Sequence, residues 1–248
     1  MERLSKKPII EVRHLNKSFG DNHVLKDFSM SVYPGENLVI LGKSGSGKSV
    51  LIKCIINLIQ ADEGEIVVLG SPIQGLEQDE LDDLRAKVGF LFQSNALYDS
   101  MTVRENLEFP LRIHWTKEER ALGAEAAVKE ALEDVGLLHT IDRMPQELSG
   151  GMKKRVALAR SLILKPKVIL YDEPTTGLDP ITSREISQLM VRVQKKYNAT
   201  AVIISHDLNC IEITSDRVIM LIDGTCYADD TFEALSKSTD HRIKEFFT

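Results

Sequence analysis

The 248-residue chain is poor in cysteine, in long apolar runs and in surplus positive charge, and each shortage removes a class of protein. Cys54, Cys210 and Cys226 are odd in number and far apart, without the close pairs that a disulfide framework or a zinc site needs. They read as small apolar core residues. The most apolar stretches are broken by Lys53 in one place and by Lys165 and Lys167 in another, so no segment reads as a membrane-spanning helix. A formal net charge of −6 is a poor footprint for a protein whose main partner is nucleic acid, and none is expected. Residues 1–7 have no apolar run behind them, which argues against a secretory signal. Internal repeats, low-complexity tracts and flexible linkers are missing too. What is present is ordinary globular composition, 43% hydrophobic and 27% charged, in a length that suits an α/β core with a smaller subdomain.

Patterning assigns the parts. Phe28, Met30 and Val32 alternate with Asp27, Ser29 and Ser31, the period of a half-buried antiparallel strand. Pro34-Gly35 marks a turn, and residues 38–41 form a short buried strand. Residues 50–59 predict a helix whose polar stripe is Lys53, Asn57 and Gln60, apolar on its other sides and therefore internal. From 94 to 165 strand signals give way to helical ones, with Thr116 and Glu119 forming a capping box. Apolar strands return at 168–171, 200–204 and 217–221, alternating with helical stretches. The expected fold is α/β: a mainly parallel sheet covered on both faces, an N-terminal antiparallel part and a helical insertion.

Gly42, Lys43, Ser44, Gly45, Ser46, Gly47, Lys48 and Ser49 lie between the strand at 38–41 and the helix starting near Val50. Glycines let successive backbone N–H groups turn inward around phosphate oxygens, and the helix adds its positive end. Lys48 then reaches the β- and γ-phosphates, and the Ser49 hydroxyl ligates Mg²⁺. The strand at 168–171 ends in Asp172 and Glu173. At the carboxyl end of a central strand, Asp172 is placed to hold Mg²⁺ and Glu173 to orient an attacking water. Gln93 ends the apolar run 88–92, and Ser205-His206-Asp207 follows the apolar strand 201–204. Gln93 is a candidate bridge to Mg²⁺ or water, and His206 a candidate γ-phosphate contact; by position alone, solvated loop residues are the alternative for both.

Leu148-Ser149-Gly150-Gly151 opens a helix expected to run to Leu164, with Ser149 as its N-cap. Lys153, Lys154 and Arg155 fall in the first turn, where the helix dipole disfavours each cation by roughly 0.3–1 kcal/mol. Either a bound anion offsets that, or the side chains extend into water.

Here the chain resembles the ABC ATPases. Leu148-Ser149-Gly150-Gly151 is similar to their signature motif, residues 42–49 to their Walker A loop, and 168–173 to their Walker B strand with its catalytic glutamate. Gln93 resembles the Q-loop residue, residues 176–179 the D-loop, and His206 the switch histidine. Phe19 resembles the aromatic that stacks on adenine. The resemblance spans residues 9–235, in the family's order. It implies a single ATP-binding cassette: a β-subdomain and first core half in 1–93, a helical subdomain in 94–165, the second core half in 166–235, and a tail in 236–248. It also implies a head-to-tail dimer holding ATP and Mg²⁺, each ATP bound by residues 42–50, Val50 included, of one copy and by Ser149, Gly150 and Gly151 of the other. Lys48, Gln93, Glu173 and His206 are the implied catalytic set, and Ser49, Gln93 and Asp172 the implied metal set. Within the helical insertion, residues 97–111 are where family members receive a membrane permease, with plain subdomain core as the alternative. Met152 departs from the family, which often has glutamine there.

Ser49-Val50-Leu51, Met152 and the tail 238–247 resemble a narrower group, the Mla-type ATPases that power phospholipid movement. That likeness implies a cytoplasmic subunit on the inner face of the cell membrane, with integral permease subunits and a lipid-binding substrate protein as partners. The ATPase of a small-solute importer and a soluble iron–sulfur assembly ATPase stay open as alternatives.

Overall fold

The computed structural model describes residues 7–247, so the expectation for the N-terminal stretch falls, apart from Lys7, outside the described residues. Two sheets organise the chain. The first is antiparallel, in the order β2 (Asn22–Val32), β1 (Ile10–Phe19), β4 (Glu63–Val68), β5 (Ser71–Pro72). The second runs β10 (Thr225–Asp230), β9 (Arg217–Ile222), β3 (Asn37–Leu41), β8 (Thr200–Ile204), β7 (Val168–Asp172), β6 (Val88–Leu91). All its neighbours are parallel except β10 on β9.

Continuous apolar runs in β3, β7 and β8 follow from burial on both faces. Leu38, Ile40, Val168, Leu170, Val202 and Ile204 enter one core, shared with the antiparallel sheet and α1 (Lys48–Ile55). Their alternating neighbours Val39, Leu41, Ile169, Tyr171, Ala201 and Ile203 enter the other. α2 (Gln78–Ala86) precedes β6, and the second core is closed by α3 (Val103–His114), α4 (Lys117–Asp134), α5 (Gly150–Leu162), α6 (Pro180–Tyr197) and the short α8 (Phe232–Ser236). The sheet therefore sits between two apolar layers, and the loops at its carboxyl edge share one rim. Thr116 and Glu119 form the expected capping box on α4.

Two helices end earlier than their periodicity suggests. α1 stops at Ile55 because Asn57 turns left-handed (φ 53°). The Leu58 N–H then donates to the Lys53 carbonyl at 2.8 Å and Asn57 N–H to Cys54 at 3.0 Å, a Schellman ending. So Asn57 is the helix terminator rather than part of a polar stripe. α5 ends at Leu162, two residues short of Leu164, where Lys165 (φ 50°) donates back to the Leu162 carbonyl at 2.8 Å. Cys54 and Cys210 are buried as expected, but Cys226 is only half-buried. Burial pushes the Cys54 and Cys226 thiols up to about 11, which leaves them unreactive. Among the described residues, no helix is long and apolar enough to cross a membrane.

Arg217, at the start of β9, is 8% exposed and clamps the two sheets. It donates to Glu36 at 2.7 Å, to Asp229 at 2.6 Å and to the Ser31 carbonyl of β2 at 2.5 Å. Removing one side of such a buried pair leaves uncompensated charge, at a cost of about 3–5 kcal/mol. Arg217→Met is therefore expected to lower unfolding stability by that amount, measured by urea titration of the purified chain.

Candidate nucleotide site

β3 ends at Leu41, and the next eight residues wrap the start of α1. Gly47 sits at φ 101° as the α1 N-cap, and a Cβ there would lie 2.7 Å from Val24 Cγ1. Gly42 is equally confined: its Cβ would meet Ser46 Oγ at 2.6 Å and the Leu221 carbonyl at 2.7 Å. A side chain at either position would collide with these neighbours, so the loop holds its path only with glycine there. The resulting cavity, of about 670 Å³, is lined by Phe19, residues 42–45 and 47–50, Gln93, Glu173 and His206.

Inside it, Lys48 is buried and donates to the Gly42 carbonyl at 2.8 Å and the Lys43 carbonyl at 3.0 Å. Burial lowers its pKa, with the charges of Glu173 and Asp172 opposing the shift. The Ser49 hydroxyl donates to Asp172 Oδ1 at 2.9 Å. Asp172 is pushed above the usual carboxylate range by burial, with Glu173 adding to the effect and Ser49, Lys53 and Lys48 resisting it. Glu173 follows at φ 51°, a left-handed conformation that costs a non-glycine residue about 1–3 kcal/mol and clusters at functional sites. Its Oε2 lies 2.8 Å from His206 Nδ1 and accepts from Thr176 Oγ1 at 3.1 Å. Parallel pairing of β7 with β8 brings these residues together, since Asp172 is in register with Ile204.

Asp207 locks the same rim. It caps α7 (Leu208–Thr214) through Oδ1, while its Oδ2 accepts from Ser183 Oγ at 2.6 Å and Thr175 Oγ1 at 3.1 Å. Sequence reasoning gave this residue no role, although an Asp followed by an apolar helical stretch is an N-cap signal. Phe19 is at the cavity mouth, 49% exposed, with Lys17 Nζ 5.2 Å from its ring centroid.

Ser149, Gly150 and Gly151 lie elsewhere. They line a second cavity, of about 540 Å³, with Gly177, Asp179 and Thr182. Ser149 Oγ accepts from Met152 N–H at 3.3 Å, and a Cβ on Gly151 would sit 2.7 Å from Thr182 Cγ2, so α5 approaches α6 closely there. Of the three cations that follow, two do not extend freely into water. Arg155 pairs with Glu185 at 2.5 Å, and Lys154 turns inward to the Gln93 carbonyl at 3.0 Å.

The residues expected at the permease surface divide. Leu111 is fully buried and Leu97 packs against the core. Tyr98, Phe109 and Pro110 line a groove of about 300 Å³ with Phe90 and Ile113, the last 62% exposed. The tail supplies a contact that sequence reading did not foresee. Glu245, just past α9 (His241–Lys244), pairs with Lys43 at 2.8 Å, and Phe246 reaches the wall of the larger cavity.

An inward-facing glycine cradle beside a buried lysine suits a polyphosphate, and the Ser49–Asp172 oxygen pair suits Mg²⁺. Among the described residues, no cluster of three or more His, Cys, Asp or Glu could hold a metal ion by itself. Residues 25–176 match the family model described as ABC transporter, and the chain belongs to that family. It is an ATPase of the family, using ATP with Mg²⁺.

Over 237 residues it is 38% identical to the probable ribonucleotide transport ATP-binding protein mkl of Mycobacterium leprae, covering 96% of this chain and 68% of that one. Over 238 residues it is 37% identical to the intermembrane phospholipid transport system ATP-binding protein MlaF of Haemophilus influenzae, covering 96% and 89%. Among solved structures it resembles the dimeric post-hydrolysis state of the cassette MJ0796 bound to ADP and Pi. The TM-score is 0.79 at 32% identity, over 90% of this chain and 98% of that one.

Proposed function

We propose that this chain is the motor of a phospholipid-moving ABC transporter, hydrolysing ATP in a head-to-tail dimer and driving a membrane permease. The observation that carries the reading is Glu173, buried on the cavity wall and paired with His206 at 2.8 Å. Phe19 offers its ring face to adenine. The Lys48 ammonium takes phosphate oxygens, and Ser49, Asp172 and Gln93 hold the metal. The metal ion supplies charge neutralisation on the phosphate oxygens. Glu173 accepts a hydrogen bond from the attacking water and sets its line, while His206 holds the Glu173 carboxylate and faces the γ-phosphate.

Ser149, Gly150 and Gly151 open onto a different cavity from Lys48, so they serve ATP only when a second copy brings its own loop to them. The dimeric relative supports that arrangement. The groove at Tyr98, Phe109 and Ile113 is then the seat for a permease segment, placing the chain at the membrane surface.

The phospholipid cargo rests on the likeness to MlaF across 96% of this chain; the relative named for ribonucleotide transport supplies the competing reading. The test is purification of the Glu173→Gln chain from native membranes with identification of co-purifying proteins and lipids. A permease with bound phospholipid supports the reading. A permease without lipid removes the cargo, and soluble partners alone remove the transporter role.

A further inference from the structure

The cavity wall carrying Gln93 is held by side chains that belong to another part of the chain. Gln93, Ser94, Asn95 and Ala96 follow β6 as an irregular segment. Asn95 and Ala96 are both left-handed, at φ 64° and 50°, and Ala96 has no polar side chain to compensate. Asn95 Oδ1 is buried without a hydrogen-bond partner. One local bond, Asn95 N–H to the Phe92 carbonyl at 3.1 Å, closes a turn here, and the strained remainder depends on ties from outside.

α5 provides two of them. Lys154 donates to the Gln93 carbonyl at 3.0 Å, and Arg160 to the Asn95 carbonyl at 3.0 Å with its guanidinium 5.8 Å from the Tyr98 ring centroid. Lys154 is 2% exposed. Enclosing an ammonium costs several kcal/mol, and an apolar side chain of similar volume would fill the space without that penalty. Burial lowers the Lys154 pKa, with the Asp172 charge opposing the shift. Such a residue contributes little to stability for what it costs; it does fix one backbone oxygen beside the cavity.

We propose that Lys154 is a positioning residue for Gln93: its buried ammonium pins the Gln93 carbonyl and so aims the side-chain amide at the metal position beside Ser49 and Asp172. The inference rests on the metal role proposed for Gln93. It makes α5 a rigid link, with the residues expected to touch one nucleotide at its start and the wall of the chain's own nucleotide cavity tied to its second turn.

The experiment measures affinity for a fluorescent non-hydrolysable ATP analogue in the full chain, with Mg²⁺ and with EDTA, for wild type, Gln93→Ala, Lys154→Met and the double variant. Thermal melts accompany each. The readout is the gain in affinity that Mg²⁺ confers. Lys154→Met is expected to reduce that gain by about 3- to 10-fold, the worth of one hydrogen bond, with the EDTA affinity unchanged. In the double variant the loss should equal that of Gln93→Ala alone.

Additive losses, or equal losses with Mg²⁺ and with EDTA, would overturn the positioning role in favour of a structural one. A loss in Gln93→Ala with none in Lys154→Met overturns the tether alone. No loss in Gln93→Ala overturns the metal role of Gln93 and the tether with it. If Lys154→Met does not fold, Lys154→Gln goes through the same cycle and is judged by the same outcomes.

Discussion

Glu173→Gln is expected to cut the turnover number for ATP hydrolysis by about 10²- to 10⁴-fold, the usual worth of a positioned acid–base group, while ATP remains bound. The amide keeps the volume of the carboxylate and can still accept from Thr176, which lies 3.1 Å away. What it loses is the negative oxygen that draws a water proton. Glu173 also repels charge: after burial itself, it is the neighbour that pushes Asp172 upward. Removing that charge eases the crowding of anions around incoming phosphates, so ATP affinity should hold or rise. Phosphate release in a single turnover and nucleotide binding by fluorescence give the two halves of the result. Hydrolysis at the wild-type rate would strip Glu173 of the role proposed for it.

Much of this site was legible because its parts obey short-range rules. Residues 42–49 need glycine where the backbone turns, and β3, β7 and β8 announce themselves by unbroken apolar runs that only two-sided burial explains. Gln93 and His206 were weaker: nothing local distinguishes them from solvated loop residues, and the ordered likeness to a family singled them out. Other features depend on contacts far apart in the chain. The left-handed backbone at Glu173 leaves no mark on composition. Lys43 meets Glu245 across 202 residues, so the tail at the phosphate loop was out of reach. Lys154 left only a faint trace, as one of three consecutive cations near a helix start; the structure puts it in the second turn of α5 rather than the first, and its partner is a backbone carbonyl with no sequence signature. Helix ends were misjudged for the same reason, since Asn57 serves as a terminator only because its backbone turns left-handed.

Lys48→Met should weaken ATP binding by about 10- to 150-fold, corresponding to about 1.5–3 kcal/mol for a hydrogen bond to a charged group. In the free chain the ammonium is held by the Gly42 and Lys43 carbonyls at 2.8 and 3.0 Å, two of its three possible bonds, which pre-aims it at the cavity. Methionine keeps an unbranched apolar stem one atom shorter than lysine, so the loop should keep its form. The carbonyls line the cavity wall, where water replaces the lost donor, and the burial penalty on the charge disappears; thermal stability should change little. The same burial makes the wild-type contact sensitive to alkali. A lysine attracts phosphate only while protonated, and burial has lowered the pKa of Lys48 despite Glu173 and Asp172, so its charge is lost at a lower pH than that of an exposed lysine. ATP affinity should therefore decline on the alkaline side in the wild type and stay flatter in Lys48→Met. Calorimetric titration of both proteins across that range measures affinity and slope together. Equal affinity in the two would remove Lys48 from phosphate binding, and parallel pH profiles would assign the alkaline loss to another group.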